Sequence, residues 1–405
     1  MRILRLNLTH FRNYAREEVR PSPGANLFLG RNAQGKSNLI EAVSLLSTTR
    51  SFRTSVDRHL INRDFLDEPI VHARLLAEVE GGPHRTIELI VTQEASENGN
   101  GLASTRKYLR LDGVAHRLVD ALGVLPTVLF TPEDVSLVAG PPAGRRRFLD
   151  VFLCQAGKDY CRALSLYNRS LTQRNHLLRL IRRRRSDPDQ LLYWDHLLAE
   201  NGVLITERRR AAIEQMSEQA AKTHAALADS ELLTLTYLPG APATGEVPTP
   251  ELVRAWEQTY LQSREGDLDR GATSQGPHRD DFLVEINGME AASYASRGQM
   301  RTAALTLRLV EADYLHRALG RRPILLFDDV MSELDCARRE ALERVMLDSS
   351  QSFITGLDTE PFSRDFLRAA RTYTVSGGRI ALVSPPGVDG GTEPPSGGDT
   401  PAESG

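Results

Sequence analysis

One run organises the interpretation of this chain: Gly30-Arg31-Asn32-Ala33-Gln34-Gly35-Lys36-Ser37. It has the G-x-x-x-x-G-K-S pattern of the phosphate-binding loop of nucleotide hydrolases. The apolar residues Leu27-Phe28-Leu29 precede it and predict a buried strand, and residues 38–43 follow as the first turns of a helix. Because a strand, this loop and a helix in that order are the context in which the pattern holds phosphate, the run predicts a nucleotide site.

The chemistry of phosphate binding explains these residue types. Glycines let backbone N–H groups wrap the phosphates, and the start of the helix adds positive potential. We predict that Lys36 neutralises charge on the β- and γ-phosphates and that the Ser37 hydroxyl binds Mg²⁺, with ATP as the nucleotide. The predicted nucleotide contacts in this run are Gly30, Arg31, Asn32, Ala33, Gln34, Gly35, Lys36, Ser37 and Asn38.

Composition indicates a soluble protein with a large core. Of the 405 residues, 40% are hydrophobic and 25% are charged, which is typical of globular proteins. No apolar run is long enough to span a bilayer, and the N-terminus lacks the apolar core of a signal peptide. Cys154, Cys161 and Cys336 have no metal-ligand spacing, so we expect reduced core thiols in a cytoplasmic protein.

Periodicity divides the chain into an α/β part and a helical insertion. We predict an N-terminal part of the ATPase lobe over residues 1–140, a helical lobe over 141–270, and a C-terminal part of the ATPase lobe over 271–384. Residues 385–405 are predicted to form a disordered tail, because they contain no basic or aromatic residue. The fold class is therefore α/β, an ATPase head that is discontinuous in sequence.

Local signals place the elements within these parts. Strands are predicted over residues 70–80, 84–92, 108–111, 124–130 and 282–286. The polar stretch 95–104 predicts a mobile loop, and 239–250 a linker rich in proline and glycine. Asp187-Pro188-Asp189 is expected to separate two long antiparallel helices of the insertion.

A second apolar strand, residues 324–327, ends in two carboxylates, Asp328 and Asp329. In phosphate-loop enzymes the first carboxylate supports Mg²⁺, and the next is placed to orient or deprotonate the attacking water. Two aspartates after a strand could also form a turn or cap a helix. Together with the phosphate loop they favour catalysis by Lys36, Asp328 and Asp329, with Ser37 and Asp328 as the metal ligands.

Two later segments narrow the class of ATPase. Residues 295–299, which include Ser296, Gly298 and Gln299, precede a predicted helix and resemble the signature of ABC-type ATPases. Residues 332–335 resemble the D-loop of the same proteins, and the order of all the motifs also matches. A serine–glycine turn that opens a helix is often only a cap, so the order carries the resemblance.

The signature has a consequence for assembly. A helix N-terminus is an anion site, and the phosphates of the same chain are already held by their own loop. In ABC-type ATPases the signature therefore binds the γ-phosphate that the other protomer holds. The resemblance implies that Ser296, Gly298 and Gln299 act in trans, in a two-fold dimer with two equivalent composite sites.

The whole pattern resembles the RecF family, in the SMC-like branch of ABC-type ATPases. The resemblance covers nearly all of the chain up to about residue 384, and its segments are 11–14, 30–38, 50–53, 130–134, 146–150, 173–175, 276–281 and 328–335. The family implies ATP-dependent dimerisation, weak ATP hydrolysis and binding of single- or double-stranded, gapped DNA in the nucleoid. It also implies cooperation with RecO and RecR to load recombinase at gaps, in DNA repair, the SOS response and replication.

Other positions carry less decisive signals. Arg12 and Asn13 resemble a nucleotide-contacting stretch of the SMC-like branch, and a turn at a strand end is the alternative. The water-sensing loop is expected near Glu133-Asp134. Thr355 stands where ABC transporters have a switch histidine, which implies slow hydrolysis, and His278 is as compatible with a structural role as with a catalytic one.

The DNA-binding surface is predicted from charge. The net charge is −3, yet residues 141–230 carry +6. We predict phosphate contacts from a basic run, with residues 208–210 on the next helix: Arg182, Arg183, Arg184 and Arg185. A solvated helix face and a second surface on the ATPase lobes remain alternatives. Without a base-reading motif, recognition is expected to be independent of DNA sequence.

Three other classes are weighed against this one. An ATPase subunit of a membrane transporter is the main alternative, but the long stretch between Ser37 and Ser296 and the missing switch histidine disfavour it. A chromosome-organising SMC protein needs coiled coils that this chain is too short to contain. A vestigial nucleotide site is disfavoured because Lys36, Asp328 and Asp329 are all present.

Overall fold

The computed structural model describes residues 1–66, 70–94, 104–228, 231–241 and 250–383. The mobile loop predicted at 95–104 and the linker predicted at 239–250 lie mostly outside these residues, and the predicted tail at 385–405 lies wholly outside them.

Strands and helices alternate in the order that the sequence indicates. The first half contains β1 (Arg2–Phe11), β2 (Tyr14–Val19), β3 (Gly24–Leu29), α1 (Lys36–Thr48), β4 (His72–Glu80), β5 (Thr86–Glu94), β6 (Ser104–Leu111), β7 (Val114–His116), β8 (Thr127–Phe130), α2 (Val135–Ala139), α3 (Pro142–Ala156) and α4 (Lys158–Arg182). The second half contains α5 (Leu191–Ala225), β9 (Leu233–Leu238), α6 (Pro250–Arg270), β10 (Asp281–Ile286), β11 (Met289–Glu290), α7 (Ala291–Tyr294), α8 (Arg297–Leu319), β12 (Ile324–Phe327), α9 (Cys336–Asp348), β13 (Gln351–Gly356), α10 (Arg364–Ala369), β14 (Arg371–Ser376) and β15 (Arg379–Leu382).

The central sheet has the strand order β15-β14-β3-β13-β12-β8, and it is parallel except for β15 at one edge. Both of its faces are buried. Leu27 and Leu325 point to one hydrophobic core, and Phe28 and Leu326 point to the other. Side chains alternate across a strand, so a sheet covered on both faces requires continuous apolar runs. Parallel alignment then brings the ends of β3, β12 and β13 to the same edge.

An antiparallel sheet, β2-β1-β4-β5-β6-β7, packs with α1 against one face of the central sheet. The predicted alternation of β1 is present, since Ile3, Leu6 and Leu8 are all fully buried. The step from an odd to an even position reflects a register shift between Ile3 and Arg5. Such a bulge lets one strand keep its apolar side chains on the core face along its whole length.

The helical insertion is stabilised by buried ion pairs as well as by apolar packing. Arg174 on α4 is fully buried, and its guanidinium lies 2.6 Å from Asp195 on α5 and 2.7 Å from Asp267 on α6. Arg209 on α5 pairs with Asp280 at 2.8 Å. Removing one partner of such a pair costs about 3–5 kcal/mol, because the other charge is left buried and uncompensated. These pairs fix how the helices of the insertion pack.

Some sequence expectations need correction. The range 141–270 is not purely helical, because β9 pairs antiparallel with β10. The period-two pattern of β9, with Leu233 and Leu235 buried, carries this strand. Cys154 and Cys161 are buried as expected, but Cys336 is exposed, because it is the first residue of α9. Among the described residues, no helix is long and apolar enough to cross a membrane.

Candidate nucleotide-binding site

The loop between β3 and α1 has the backbone of an anion cradle. Gly35 has a φ of 121° and Ala33 a φ of 64°, and α1 begins immediately afterwards at Lys36. A glycine cannot cap the helix with a side chain, so the first N–H groups of α1 stay available to a ligand. A side chain at Gly30 would place Cβ only 2.2 Å from the Val375 carbonyl oxygen. The chain therefore needs glycine at both ends of the loop.

Lys36 lies inside this cradle. Its side chain curls back over the loop, where Nζ donates to the Arg31 carbonyl at 3.0 Å and also to the Gly30 carbonyl. Burial lowers the pKa of Lys36, while the charges of Asp329 and Asp328 act in the opposite direction. The ammonium group is thus held among carbonyl dipoles that β- and γ-phosphate oxygens can replace.

Asp328 meets the phosphate loop directly. Its Oδ1 accepts from Ser37 Oγ at 2.8 Å and from Thr355 Oγ1 at 3.0 Å. Burial raises the pKa of Asp328, and these two hydrogen bonds oppose that rise. The hydroxyls and the carboxylate form a set of hard oxygen donors, which fits the ligand preference of Mg²⁺. The predicted metal ligands, Ser37 and Asp328, are therefore neighbours.

Asp329 is held in an uncommon backbone conformation beside them. Its φ is 55°, and its N–H donates to Thr355 Oγ1 at 3.0 Å. Burial raises the pKa of Asp329, and the charge of Lys36 counteracts this. The left-handed conformation is rare for a residue with a side chain. Thr355 thus links both carboxylates, at the position where the sequence indicated a missing histidine.

The signature residues open a helix, as the sequence predicted. Ser296 caps α8, because its Oγ accepts from the Gln299 N–H at 3.2 Å and its N–H donates to Gln299 Oε1 at 2.8 Å. Ser296 is exposed, and Gly298 and Gln299 are partly buried. In the part of the chain that the structure describes, no hydrogen bond or ion pair joins these residues to the loop at residues 30–37. One chain therefore presents two separate helix N-termini.

Comparisons with known proteins agree with this geometry. A family model described as "RecF/RecN/SMC N terminal domain" matches residues 2–379. The chain is 40% identical over 389 residues to "DNA replication and repair protein RecF" of Herpetosiphon aurantiacus, covering 94% of this chain and 99% of that protein. It is 34% identical over 382 residues to the Bacillus subtilis protein of the same name, covering 94% and 100%. The chain belongs to the RecF family.

Solved structures agree on the fold. A RecF structure described as "RecF-ATP in RecFOR pathway" has a TM-score of 0.80 and 33% identity, and covers 94% of this chain and 97% of that one. An Smc head domain from Pyrococcus furiosus matches with a TM-score of 0.52 at 17% identity, covering 94% and 95%. The predicted fold class, an SMC-like ATPase head of the RecF family, is confirmed.

The stretch before β2 supports the phosphate loop of this RecF-family chain. Asn13 Nδ2 donates to the Gln34 carbonyl at 2.8 Å, and Asn38 Nδ2 donates to Asn13 Oδ1 at 2.7 Å. Arg12 instead bonds both carboxylate oxygens of Glu41, at 2.8 and 2.6 Å. Asn13 therefore lies at the nucleotide loop, and Arg12 is anchored to α1.

Contacts across the loop involve the other end of the chain. The Gly378 N–H donates to the Gln34 carbonyl at 3.1 Å, and the Gly377 N–H donates to Gln34 Oε1 at 2.7 Å. Both glycines lie in the turn between β14 and β15. The phosphate loop is thus braced by residues from both ends of the sequence.

The candidate water-sensing residues differ in their surroundings. Asp134 is buried, and its carboxylate accepts from Arg308 at 2.6 Å and from the Thr131 N–H at 2.8 Å. Glu133 is exposed, and its charge contributes to the raised pKa of Asp328. Of the two, Glu133 has the freer carboxylate.

The predicted DNA-binding run lies where the α4–α5 hairpin turns. All four of its arginines, Arg182 to Arg185, are exposed, and Arg182 also donates to the Asp269 carbonyl at 2.9 Å. The second basic segment, residues 208–210, differs from the expected solvent-facing surface. Arg209 is buried within ion pairs, because it serves the packing of the insertion, and Arg208 is paired with Asp159 at 2.8 Å.

His278 has a structural environment. Its Nε2 lies 3.0 Å from the Thr273 carbonyl and its Nδ1 lies 2.7 Å from the Tyr167 hydroxyl. Since a carbonyl only accepts, Nε2 donates and Nδ1 receives the tyrosine proton. Both ring nitrogens are therefore used inside the helical insertion.

Proposed function

We propose that this chain is an ATP-driven, DNA-binding dimer of recombinational DNA repair, with a weak ATPase activity. The observation that carries the nucleotide part is the 2.8 Å hydrogen bond between Ser37 on the phosphate loop and Asp328 after β12. It supports a single site for nucleotide and metal, because it joins the two groups that such a site requires.

The residues divide the chemistry among themselves. The N–H groups at the start of α1 and the Lys36 ammonium bind the phosphates, which releases Lys36 from its backbone carbonyls. Ser37 and Asp328 would hold Mg²⁺, which supplies charge neutralisation on the phosphates when it is bound. Asp329 orients the attacking water and accepts its proton, and its raised pKa favours that exchange.

Dimerisation follows from the second anion site. Ser296, Gly298 and Gln299 at the start of α8 contact the γ-phosphate held by a second copy, so that ATP lies between the protomers. Two such sites form a closed two-fold dimer. Hydrolysis removes the γ-phosphate and weakens both contacts, and the dimer separates.

The relatives support the cellular role. They are named DNA replication and repair proteins, and one solved relative is described as a recombination mediator in the RecFOR pathway. We infer a cytoplasmic, nucleoid-associated protein that binds gapped DNA without sequence preference. It acts with RecO and RecR to load recombinase.

Sedimentation of the purified chain with ADP, with ATP, and with ATP and gapped DNA tests the proposal. We expect a monomer with ADP, a dimer with ATP, and a more stable dimer when DNA is added. Ser296→Arg should keep ATP binding by the monomer and lose dimerisation, because a bulky side chain blocks the helix N-terminus.

Two outcomes would contradict the proposal. One is a wild-type chain that stays monomeric with ATP at every protein concentration. The other is normal ATP hydrolysis by a strictly monomeric Ser296→Arg variant, since that would show that a single chain contains the complete catalytic site.

A further inference from the structure

A series of hydrogen bonds connects the end of α5 with the signature. His224 is fully buried, with Nδ1 3.0 Å from Thr306 Oγ1 and Nε2 3.2 Å from Glu231 Oε2. The other carboxylate oxygen of Glu231 accepts from Gln299 Nε2 at 2.9 Å. Because a carboxylate can only accept, His224 and Gln299 both donate to Glu231.

The segment that carries Glu231 is fixed to the strands that lead into the signature. The Leu232 N–H donates to Asn287 Oδ1 at 2.9 Å, and the Asn287 N–H donates to the Leu232 carbonyl at 2.9 Å. Asn287 lies in the turn between β10 and β11, and α7 and the signature follow directly. The Glu231 carboxylate is therefore held at a set position relative to the start of α8.

We propose that Glu231 is a positioning residue for the signature, which it keeps in shape by holding the side-chain amide of Gln299. This inference rests on the proposed role of the signature in trans. With its Nε2 bound to Glu231, Gln299 keeps Oε1 on the Ser296 N–H. Without that acceptor, the Gln299 side chain is free to leave Ser296, and the first turn of α8 loses its fixed geometry.

The charge of Glu231 alone would have the opposite effect. A carboxylate close to a helix N-terminus competes with a phosphate for the same positive potential. Removing the charge should therefore tighten the contact with the γ-phosphate of a second copy. Positioning and charge thus predict changes of opposite sign in the dimer affinity, and this separates them experimentally.

Three variants of the full chain make the test. Glu231→Leu removes both acceptors, and Glu231→Gln removes the charge but keeps one acceptor. Glu290→Gln is the matched control, because Glu290 also precedes the signature but bonds Ser293 Oγ at 2.8 Å rather than Gln299. The dimer affinity is measured by sedimentation at saturating ATP, alongside ATP binding by the monomer and the melting temperature.

We expect Glu231→Leu to weaken dimerisation by about tenfold or more, the equivalent of one charge-assisted hydrogen bond. Glu231→Gln should fall between Glu231→Leu and the wild type, and Glu290→Gln should match the wild type or bind more tightly. ATP binding by the monomer should not change. Half-maximal ATPase activity should shift to a higher protein concentration for Glu231→Leu only.

Dimerisation of Glu231→Leu at or above wild-type affinity would overturn the inference, and so would an equal loss in Glu290→Gln. If Glu231→Leu does not fold, Glu231→Gln decides: a weaker dimer than that of Glu290→Gln supports positioning, and an equal or tighter one refutes it. A wild type that never dimerises contradicts the proposed function instead. A dimer that Ser296→Arg abolishes and Glu231→Leu leaves intact contradicts only the present inference.

Discussion

At the scale of single residues, the nucleotide site depends most on Lys36, which is only 8% exposed. Lys36→Met should weaken ATP binding by about a hundredfold or more, because the phosphates lose a charge-assisted partner worth a few kcal/mol. Equilibrium dialysis with ATP measures the change. Lys158→Met on α4 is the control, since Lys158 is exposed. Affinity within a few-fold of the wild type would refute the assignment of the loop.

The residues that act on phosphate could be predicted from sequence, but those that hold them in place could not. Lys36 and Asp328 lie in runs whose spacing has a known geometry. Thr355 and Glu41 carry no such pattern, and their importance arises only when folding places them beside Asp328 and Arg12. The one available signal for Glu41 was a carboxylate within an otherwise apolar stretch of α1, where it is fully buried.

At the scale of elements, the α4–α5 hairpin tip is the part to test for DNA binding. Replacing Arg183, Arg184 and Arg185 by glutamine spares Arg182, which also contacts α6. For every DNA phosphate that these arginines neutralise, the replacement should lower the log–log salt slope of DNA binding by about 0.9. Three exposed arginines elsewhere provide a control of equal charge: Arg364, Arg368 and Arg371 changed to glutamine.

The slope is obtained from DNA-binding titrations at several salt concentrations. ATP affinity without DNA should not change in either variant. An unchanged slope for the tip variant would exclude the tip as the DNA surface and direct attention to the ATPase lobes. An equal fall in the control would show that only the net charge matters.

Elements were predictable where one periodicity dominates. The break at Asp187-Pro188-Asp189 was placed correctly, because α4 ends at Arg182 and α5 begins at Leu191. β9 was missed inside the helical range, because six alternating residues between long helices give a weak signal. β8 begins only at Thr127, after Pro126, which has no N–H to donate to a neighbouring strand.

At the scale of the whole molecule, nucleotide should control DNA binding. A dimer presents two basic surfaces in fixed register, and a monomer presents one. DNA affinity and its salt slope should therefore both be greater with ATP than with ADP, at matched protein concentration. By linkage, DNA must stabilise the ATP dimer by the same factor that dimerisation strengthens DNA binding. Equal affinities and equal slopes with the two nucleotides would refute this control.

The neighbours of β3 also determine when this site can form during synthesis. β3 is made early, yet it pairs with β13 and β14, and Gln34 bonds to Gly377 and Gly378. A ribosome adds about 5–20 residues per second, so the loop waits on the order of half a minute for these partners. Throughout that interval the apolar residues of β3 lack their sheet. The nascent chain is thus nucleotide-incompetent until translation is almost finished.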